Sequence, residues 1–311
     1  MVIAFFGTPQ FAVPTLQRLL DSAHAVAGVV TQPDRPRGRG HKVSDGPVKA
    51  LAVAHRMPVI QPTRLKDPDV EGTLRGWHLD LGVVAAYGRI IPEHLLSIPR
   101  LGMINVHASL LPRYRGAAPV HRAIMAGDRE TGVTIMRLVK ELDAGAMLAT
   151  VTRPIGPDET SDVVEADLAE LGADLLLRVI EQLADGSALE VPQDAARATY
   201  APRVTRDEGL IDWSLPASAI HDRVRGLHPW PHTYTVFNGV RLLILRTRAA
   251  EATSDASPGT VVAISPEAIR VATGQRGLDI LAIQPEGRRP MTVREYLAGH
   301  PMRPGESFSR A

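Results

Sequence analysis

The sequence predicts an α/β chain whose N-terminal part forms a Rossmann-like parallel sheet and whose C-terminal part closes as a small OB-like β-barrel. Three observations carry that expectation. Residues 1–6 and 25–30 are short apolar runs flanking a segment with helical spacing at Leu16, Leu19 and Leu20, and strand, helix, strand in that order implies a parallel crossover. Beyond residue 206, five short strand candidates follow one another, two of them joined by Asn238-Gly239, a strong hairpin signal. Between these regions, residues 185–206 hold Gly186, Pro192, Pro202 and many small side chains without a helical period, which reads as a connection. The expected division is an α/β domain at 1–188, a linker at 189–206 and a β-barrel at 207–311.

Composition narrows the class. A chain of 311 residues exceeds one typical domain and can bury a large core. A net charge of +1 gives no argument for a nucleic-acid partner, so such a role needs a local patch. Cysteine is absent, which excludes disulfides, thiolate nucleophiles and cysteine-based zinc sites and fits a reducing compartment. The N-terminal MVIAFFGTPQ lacks a basic segment, and Gly7 and Pro9 interrupt its apolar run; it reads as a first strand and not as a signal peptide. No apolar stretch approaches the roughly 18 residues of a membrane-spanning helix, and a cytoplasmic location is expected.

Taken in order, the turn at Gly7-Thr8-Pro9 is not followed by GxGxxG, and no GxxxxGK[ST] loop occurs, which disfavours a nucleotide site. Residues 32–43, QPDRPRGRGHKV, have no helical period, and Arg35, Arg37, Arg39 and Lys42 outweigh Asp34. Such a segment is ordinarily a solvated charged loop; the alternative is a basic finger for a phosphate backbone. A helix is expected over 47–55 with Pro47 near its start, then a strand at 59–60, a helix at 67–77 and a strand at 81–86. A further buried strand begins at Met103 and carries two polar side chains, Asn105 and His107. Alternation puts both on one face, at the carboxyl end of a strand where an α/β crevice binds ligands. An amide donor beside an imidazole can stabilise negative charge on a carbonyl oxygen and manage a proton, although a polar residue at a strand end is often only a satisfied structural group.

Residues 117–126 read as a helix whose first N–H groups lie unsatisfied beside the preceding loop. Strands at 131–139 and 146–155 are joined through Asp143, which stands two residues before Gly145 as in an ordinary turn. Thr160 or Ser161 caps a helix reaching about residue 183. The C-terminal part has one expected helix, 217–225, then strands at 234–237, 240–246, 259–264, 268–272 and 278–284. Trp230, between Pro229 and Pro231, is expected to bury its ring as a rigid anchor in preference to serving as a stacking platform. This part is rich in arginine but lacks lysine, and its acidic residues nearly cancel the charge.

Asn105-x-His107-x-Ser109-Leu110-Leu111-Pro112, followed by Tyr114-Arg115-Gly116, resembles the signature of the folate-dependent formyltransferases, and Leu142-Asp143-Ala144-Gly145 resembles their catalytic aspartate segment. FFGTPQFAVPTL, TQPDRPRGRGHK and GLHPWP extend the resemblance over nearly the whole chain, toward members that act on methionyl-tRNA. Ala108, His41 and Asp45 depart from the family pattern, outside the proposed trio. The resemblance implies a formyltransferase catalytic domain, 10-formyltetrahydrofolate as formyl donor, the α-amine of initiator methionyl-tRNA as acceptor, and Asn105, His107 and Asp143 as the catalytic residues. It implies that Ser109, Leu110, Leu111 and Pro112 line the folate site, with Ala86, Tyr87 and Gly88 holding the pterin largely through backbone groups. It also implies that Arg37, Arg39 and Lys42 meet the tRNA, Arg39 as the inserted arginine, and that the barrel binds tRNA. A monomer without metal or membrane attachment is expected. A formyltransferase for an amino sugar, a formyl-folate hydrolase and a catalytically silent RNA-binding protein stay open; the basic loop and the extra C-terminal domain weigh against the first.

Overall fold

The computed structural model describes residues 1–34, 36–37, 42–251 and 255–309. The chain divides into two compact units, one of Met1–Pro119, Thr131–Arg153 and Glu165–Ala201, the other of Val120–Glu130, Pro154–Val164 and Pro202–Ala311.

In chain order the elements up to the second unit's main body are β1 (Val2–Gly7), α1 (Val13–Leu20), β2 (Ala25–Val30), β3 (Pro36–Arg37), β4 (Lys42–Val43), α2 (Pro47–Ala54), β5 (Val59–Ile60), α3 (Pro68–Gly76), β6 (Leu81–Ala85), α4 (Glu93–Leu96), β7 (Met103–His107), β8 (Arg115–Gly116), α5 (Pro119–Met125), β9 (Glu130–Arg137), β10 (Met147–Pro154), α6 (Ser161–Asp185) and β11 (Tyr200–Ala201). The first unit is built on a seven-stranded sheet in the order β10-β9-β7-β6-β1-β2-β5. Pairing is parallel from β5 to β7, and β9 then runs antiparallel to β7, so the expected parallel sheet is mixed at one side. Ile3, Phe5 and Phe6 of β1 and Leu81 and Val83 of β6 are fully buried. Strands covered on both faces read as continuous apolar runs, which is why these two were legible without alternation.

Two features of this sheet position the site. The register pairs Val84 with Asn105 and Ala85 with Val106, so the chain leaving β6 at Ala86 emerges level with His107. On β7, Val106 faces α6: a Cβ added to Gly172 would stand 2.8 Å from Val106 Cγ1, so only glycine lets helix and strand approach this closely. Alternation then sends Asn105 and His107 to the opposite face. Residues 189–201, expected as a connection, are bonded into this unit: Val191 bridges to Met147, and β11 pairs with β8. The N–H groups of Ala117 and Ala118, expected to be unsatisfied, donate to the Ala201 carbonyl.

The second unit contains α7 (Ala217–Gly226), β12 (Thr233–Phe237), β13 (Val240–Ala250), β14 (Val261–Ile264), β15 (Ile269–Ala272), β16 (Gly277–Pro285), β17 (Met291–Thr292) and α8 (Val293–Gly299). Its antiparallel sheet runs β12-β13-β16-β15-β14, with β17 added to β16. Asn238 and Gly239 both adopt positive φ, 47° and 77°, as a two-residue hairpin turn requires. Ser309 bridges to Val236 on one edge strand, and Ser307 bridges to Thr260 beside the other, so the final residues close the sheet.

Two expectations for this unit need correction. The C-terminal part holds a second helix, α8, announced by a capping box in which Thr292 and Glu295 exchange hydrogen bonds. Trp230 is not a buried anchor; it is 50% exposed. The anchor is Trp213, buried and stacked on Phe308 with ring centres 5.5 Å apart. Its indole N–H finds an internal acceptor in Thr235 Oγ1 at 3.1 Å, which is what lets a tryptophan be buried without loss.

Candidate active site

The last residues of β7 carry the centre of the site. Asn105 and His107 are both buried, and the Asn105 side-chain amide makes no hydrogen bond to protein among the described residues. His107 Nε2 lies 2.9 Å from the Tyr114 carbonyl oxygen. A carbonyl only accepts, so Nε2 bears a hydrogen and the neutral ring keeps its lone pair on Nδ1. Nδ1 is the nitrogen that faces Asp143, 3.8 Å from Oδ2. The same carboxylate oxygen accepts the backbone N–H of Gly116 at 2.8 Å. Asp143 itself sits at φ 48°, a left-handed conformation that L-residues adopt rarely, in the connection between β9 and β10. The connection is closed tightly behind it, because a Cβ on Gly145 would lie 1.9 Å from the Arg137 carbonyl oxygen. The imidazole and the carboxylate, 36 positions apart in the chain, therefore stand side by side, and Asn105 precedes the imidazole by two residues on the same strand.

The loop after β7 is held by its own polar groups. Ser109 is fully buried and donates to the Arg113 carbonyl at 2.7 Å. Thr134 of β9 donates to the Ser109 carbonyl at 2.7 Å and accepts the Leu111 N–H at 3.1 Å. Ser109 thus shapes the Leu110-Leu111-Pro112 turn with its hydroxyl spent inside it. Leu111 is buried, whereas Leu110 and Pro112 are half-buried. In the segment that follows β6, Ala86 and Gly88 are exposed and both have positive φ, 45° and 78°. The Tyr87 ring is turned into the core, edge-on to Phe6, and burial pushes its hydroxyl pKa up. What Tyr87 offers outward is backbone, and its carbonyl accepts from Gln32 Nε2 at 2.7 Å.

Several residues that hold this site were not singled out from sequence. Thr199 Oγ1 accepts the Tyr114 N–H at 2.9 Å. Gln193 Nε2 donates to the carbonyls of Asp143 and Gly145, each at 2.8 Å, while its Oε1 receives Arg115 Nε and Nη2 at 3.0 and 2.8 Å. Arg115 lay inside the quoted motif. Gln193 and Thr199 lie where small residues gave no periodicity, and only the folded chain shows what they touch.

A model of the formyl transferase family matches residues 1–180, and a model of the formyl transferase C-terminal domain matches residues 203–301. The chain belongs to the formyltransferase family. Methionyl-tRNA formyltransferase of Moorella thermoacetica is 45% identical over 98% of this chain and 98% of its own. The enzyme of that name from Methylococcus capsulatus is 45% identical over 96% of this chain and 97% of its own. Among solved structures, an N-formyltransferase of Helicobacter canadensis, in complex with folinic acid and dTDP-3-aminofucose, superposes with a TM-score of 0.68 at 15% identity, over 90% of this chain and 99% of that one. Membership of the family brings a formyl-tetrahydrofolate donor. In this formyltransferase Arg37 and Lys42 lie on β3 and β4, which pair with each other antiparallel; Arg39 lies outside the described residues. Asp34, the acidic residue set against these cations, is engaged by Lys49, whose hydrogen bond holds the carboxyl below its usual range. Among the described residues no helix is long and apolar enough to cross a membrane, and no group of three or more His, Cys, Asp or Glu is placed to hold a metal.

Proposed function

We propose that this chain transfers the formyl group of 10-formyltetrahydrofolate to the α-amine of initiator methionyl-tRNA, yielding formylmethionyl-tRNA for translation initiation. The observation that carries the reading is the cluster itself: an unspent amide at Asn105 two residues from an imidazole whose free Nδ1 faces the Asp143 carboxylate at 3.8 Å. A new C–N bond forms between the amine and the formyl carbon, the bond to the folate nitrogen breaks, and the amine proton ends on that nitrogen. Asn105 donates its amide N–H to the formyl oxygen as negative charge develops there. His107 Nδ1 takes the amine proton and returns it to the leaving nitrogen; Asp143 stabilises the imidazolium between these events. The Tyr114 carbonyl fixes the ring so that Nδ1, and not Nε2, does this work. No metal enters this scheme.

Ala86, which leaves β6 level with His107, and Gly88 are exposed, and Tyr87 contributes its main chain, which suits a flat ring system gripped by main-chain groups. Ser109, Leu110, Leu111 and Pro112 form the opposite lining of the folate site, Ser109 by fixing the turn. The acceptor is assigned to methionyl-tRNA because relatives of that name match at 43–46% identity along nearly their full length, whereas the sugar-acting neighbours share only the fold at 15–16%. Arg37, Arg39 and Lys42 are proposed to meet the tRNA backbone, and the barrel at 207–311 to bind the same RNA; of the 189–206 connection to the catalytic domain at 1–188, residues 189–201 are bonded onto that domain and 202–206 lead on to the barrel. The enzyme is proposed to act as a cytoplasmic monomer. Formylation of charged initiator tRNA, run beside elongator methionyl-tRNA and an amino-sugar nucleotide, tests the whole reading. Rapid formylation of the initiator alone is expected, and Arg39→Ala should narrow the gap between the two tRNAs while leaving folate KM in place. Equal rates on both tRNAs by the unsubstituted enzyme would refute the proposed basis of selection.

A further inference from the structure

We infer that Gln193 is a positioning residue that sets the Asp143 carboxylate against His107, which makes residues 189–201 a working part of the site. The inference rests on the catalytic reading of Asp143 given above. Arginine can only donate and a carbonyl can only accept, so the orientation of the Gln193 carboxamide is forced: Oε1 toward Arg115, NH2 toward the backbone of the Asp143 loop. Arg115 is 7% exposed, and among the described residues its guanidinium has no carboxylate partner; Gln193 takes two of its N–H groups. The residue after Arg115 is Gly116, whose N–H binds Asp143 Oδ2. A closed ring results, from the Asp143 carboxylate through Gly116 and Arg115 to Gln193 and back to the Asp143 carbonyl.

The ring explains how Asp143 keeps a strained backbone. At φ 48° the residue must be over-determined by its surroundings to stay put. Gln193 grips the loop at Asp143 and Gly145, on both sides of Ala144, while the strand pairing of β11 with β8 and the Met147–Val191 bridge fix the segment that carries Gln193. Without the carboxamide, two carbonyls and one buried guanidinium lose their partners together, and the carboxylate is free to leave the 3.8 Å position beside Nδ1.

The test is the kinetics of Gln193→Ala together with a double-substitution cycle. Displacement of a catalytic group by about an ångström costs on the order of 100-fold. Gln193→Ala should therefore lower kcat about 10- to 100-fold with KM for folate and for tRNA within about twofold. Gln193→Met, which keeps the volume and removes the polar atoms, should do the same and guards against a packing effect. In an Asp143→Ala background, Gln193→Ala should cost almost nothing more, since both act through one carboxylate. The Gly116 amide should exchange its hydrogen faster in Gln193→Ala, a readout independent of turnover. Unchanged kcat in Gln193→Ala, or a full multiplicative loss in the double variant, would overturn the inference. If the unsubstituted enzyme formylates no tRNA, the functional reading fails instead, and Gly116 exchange alone decides whether Gln193 holds Asp143.

Discussion

Two enclosed aspartates, one in each unit, are partnered in opposite ways. Asp279 of β16 stands directly across from Arg248 on β13 and Arg270 on β15. Arg270 binds both of its oxygens, at 2.7 and 3.1 Å, and Arg248 adds a third contact at 3.3 Å. Burial alone would raise its pKa, but the two guanidinium groups outweigh that and hold it below the usual carboxylate range. Asp143 is nearly as enclosed, with 11% of its side chain exposed, yet among the described residues no arginine or lysine pairs with it. It has one backbone N–H on Oδ2 and an imidazole at 3.8 Å. A carboxylate saturated by guanidinium groups fixes three strands; one with spare lone pairs beside a histidine fits the proton traffic proposed for Asp143.

Substitutions on the two sides should separate activity from stability. The largest effect is expected for Asp143→Ala and Asn105→Ala, each losing about 100- to 1000-fold in turnover with an unchanged melting temperature. Near-normal turnover in either would dissolve the contrast. Arg270→Ala should do the reverse, leaving a buried carboxylate under-paired at a cost of about 3 kcal/mol in denaturant unfolding while folded protein keeps its kcat. A matching drop in kcat would place Asp279 in the catalytic machinery after all. Glu208 is the mildest case, a partly exposed carboxylate lowered to about 2 by its hydrogen bonds with Arg122. Its folded pKa lies below its ordinary 4.5, so the stability it contributes is full above pH 4.5 and is lost as pH falls through about 2. Glu208→Gln should cost about 1–2 kcal/mol at pH 7 and flatten the acid limb of the stability curve. An acid limb identical to that of the unsubstituted protein would show that the pair contributes nothing.

The parts of this molecule that sequence reveals are those set by local periodicity. The apolar runs at β1, β6 and β7 announce buried strands, and Asn105 and His107 stand out because polar side chains interrupt such a run. Asn238-Gly239 names its turn by itself. Asp143 was legible only through its motif, since an aspartate before glycine is ordinarily a turn and nothing local says that it returns to His107. Gln193, Thr199 and Thr134 were silent for a different reason: each acts through side-chain hydrogen bonds to segments at least 23 residues away. The α8 capping box was a readable signal passed over, and Trp230 went wrong because flanking prolines restrict a backbone without saying which way the ring points.

The closing role of Ser307 and Ser309 has a consequence for biosynthesis. Both edges of the barrel sheet are joined by residues that leave the ribosome after every other strand of that sheet. The first unit, whose last segment ends at Ala201, has all its strands available earlier. Vectorial synthesis therefore makes every strand of the first unit available while the edges of the second unit's sheet still lack the residues that cover them.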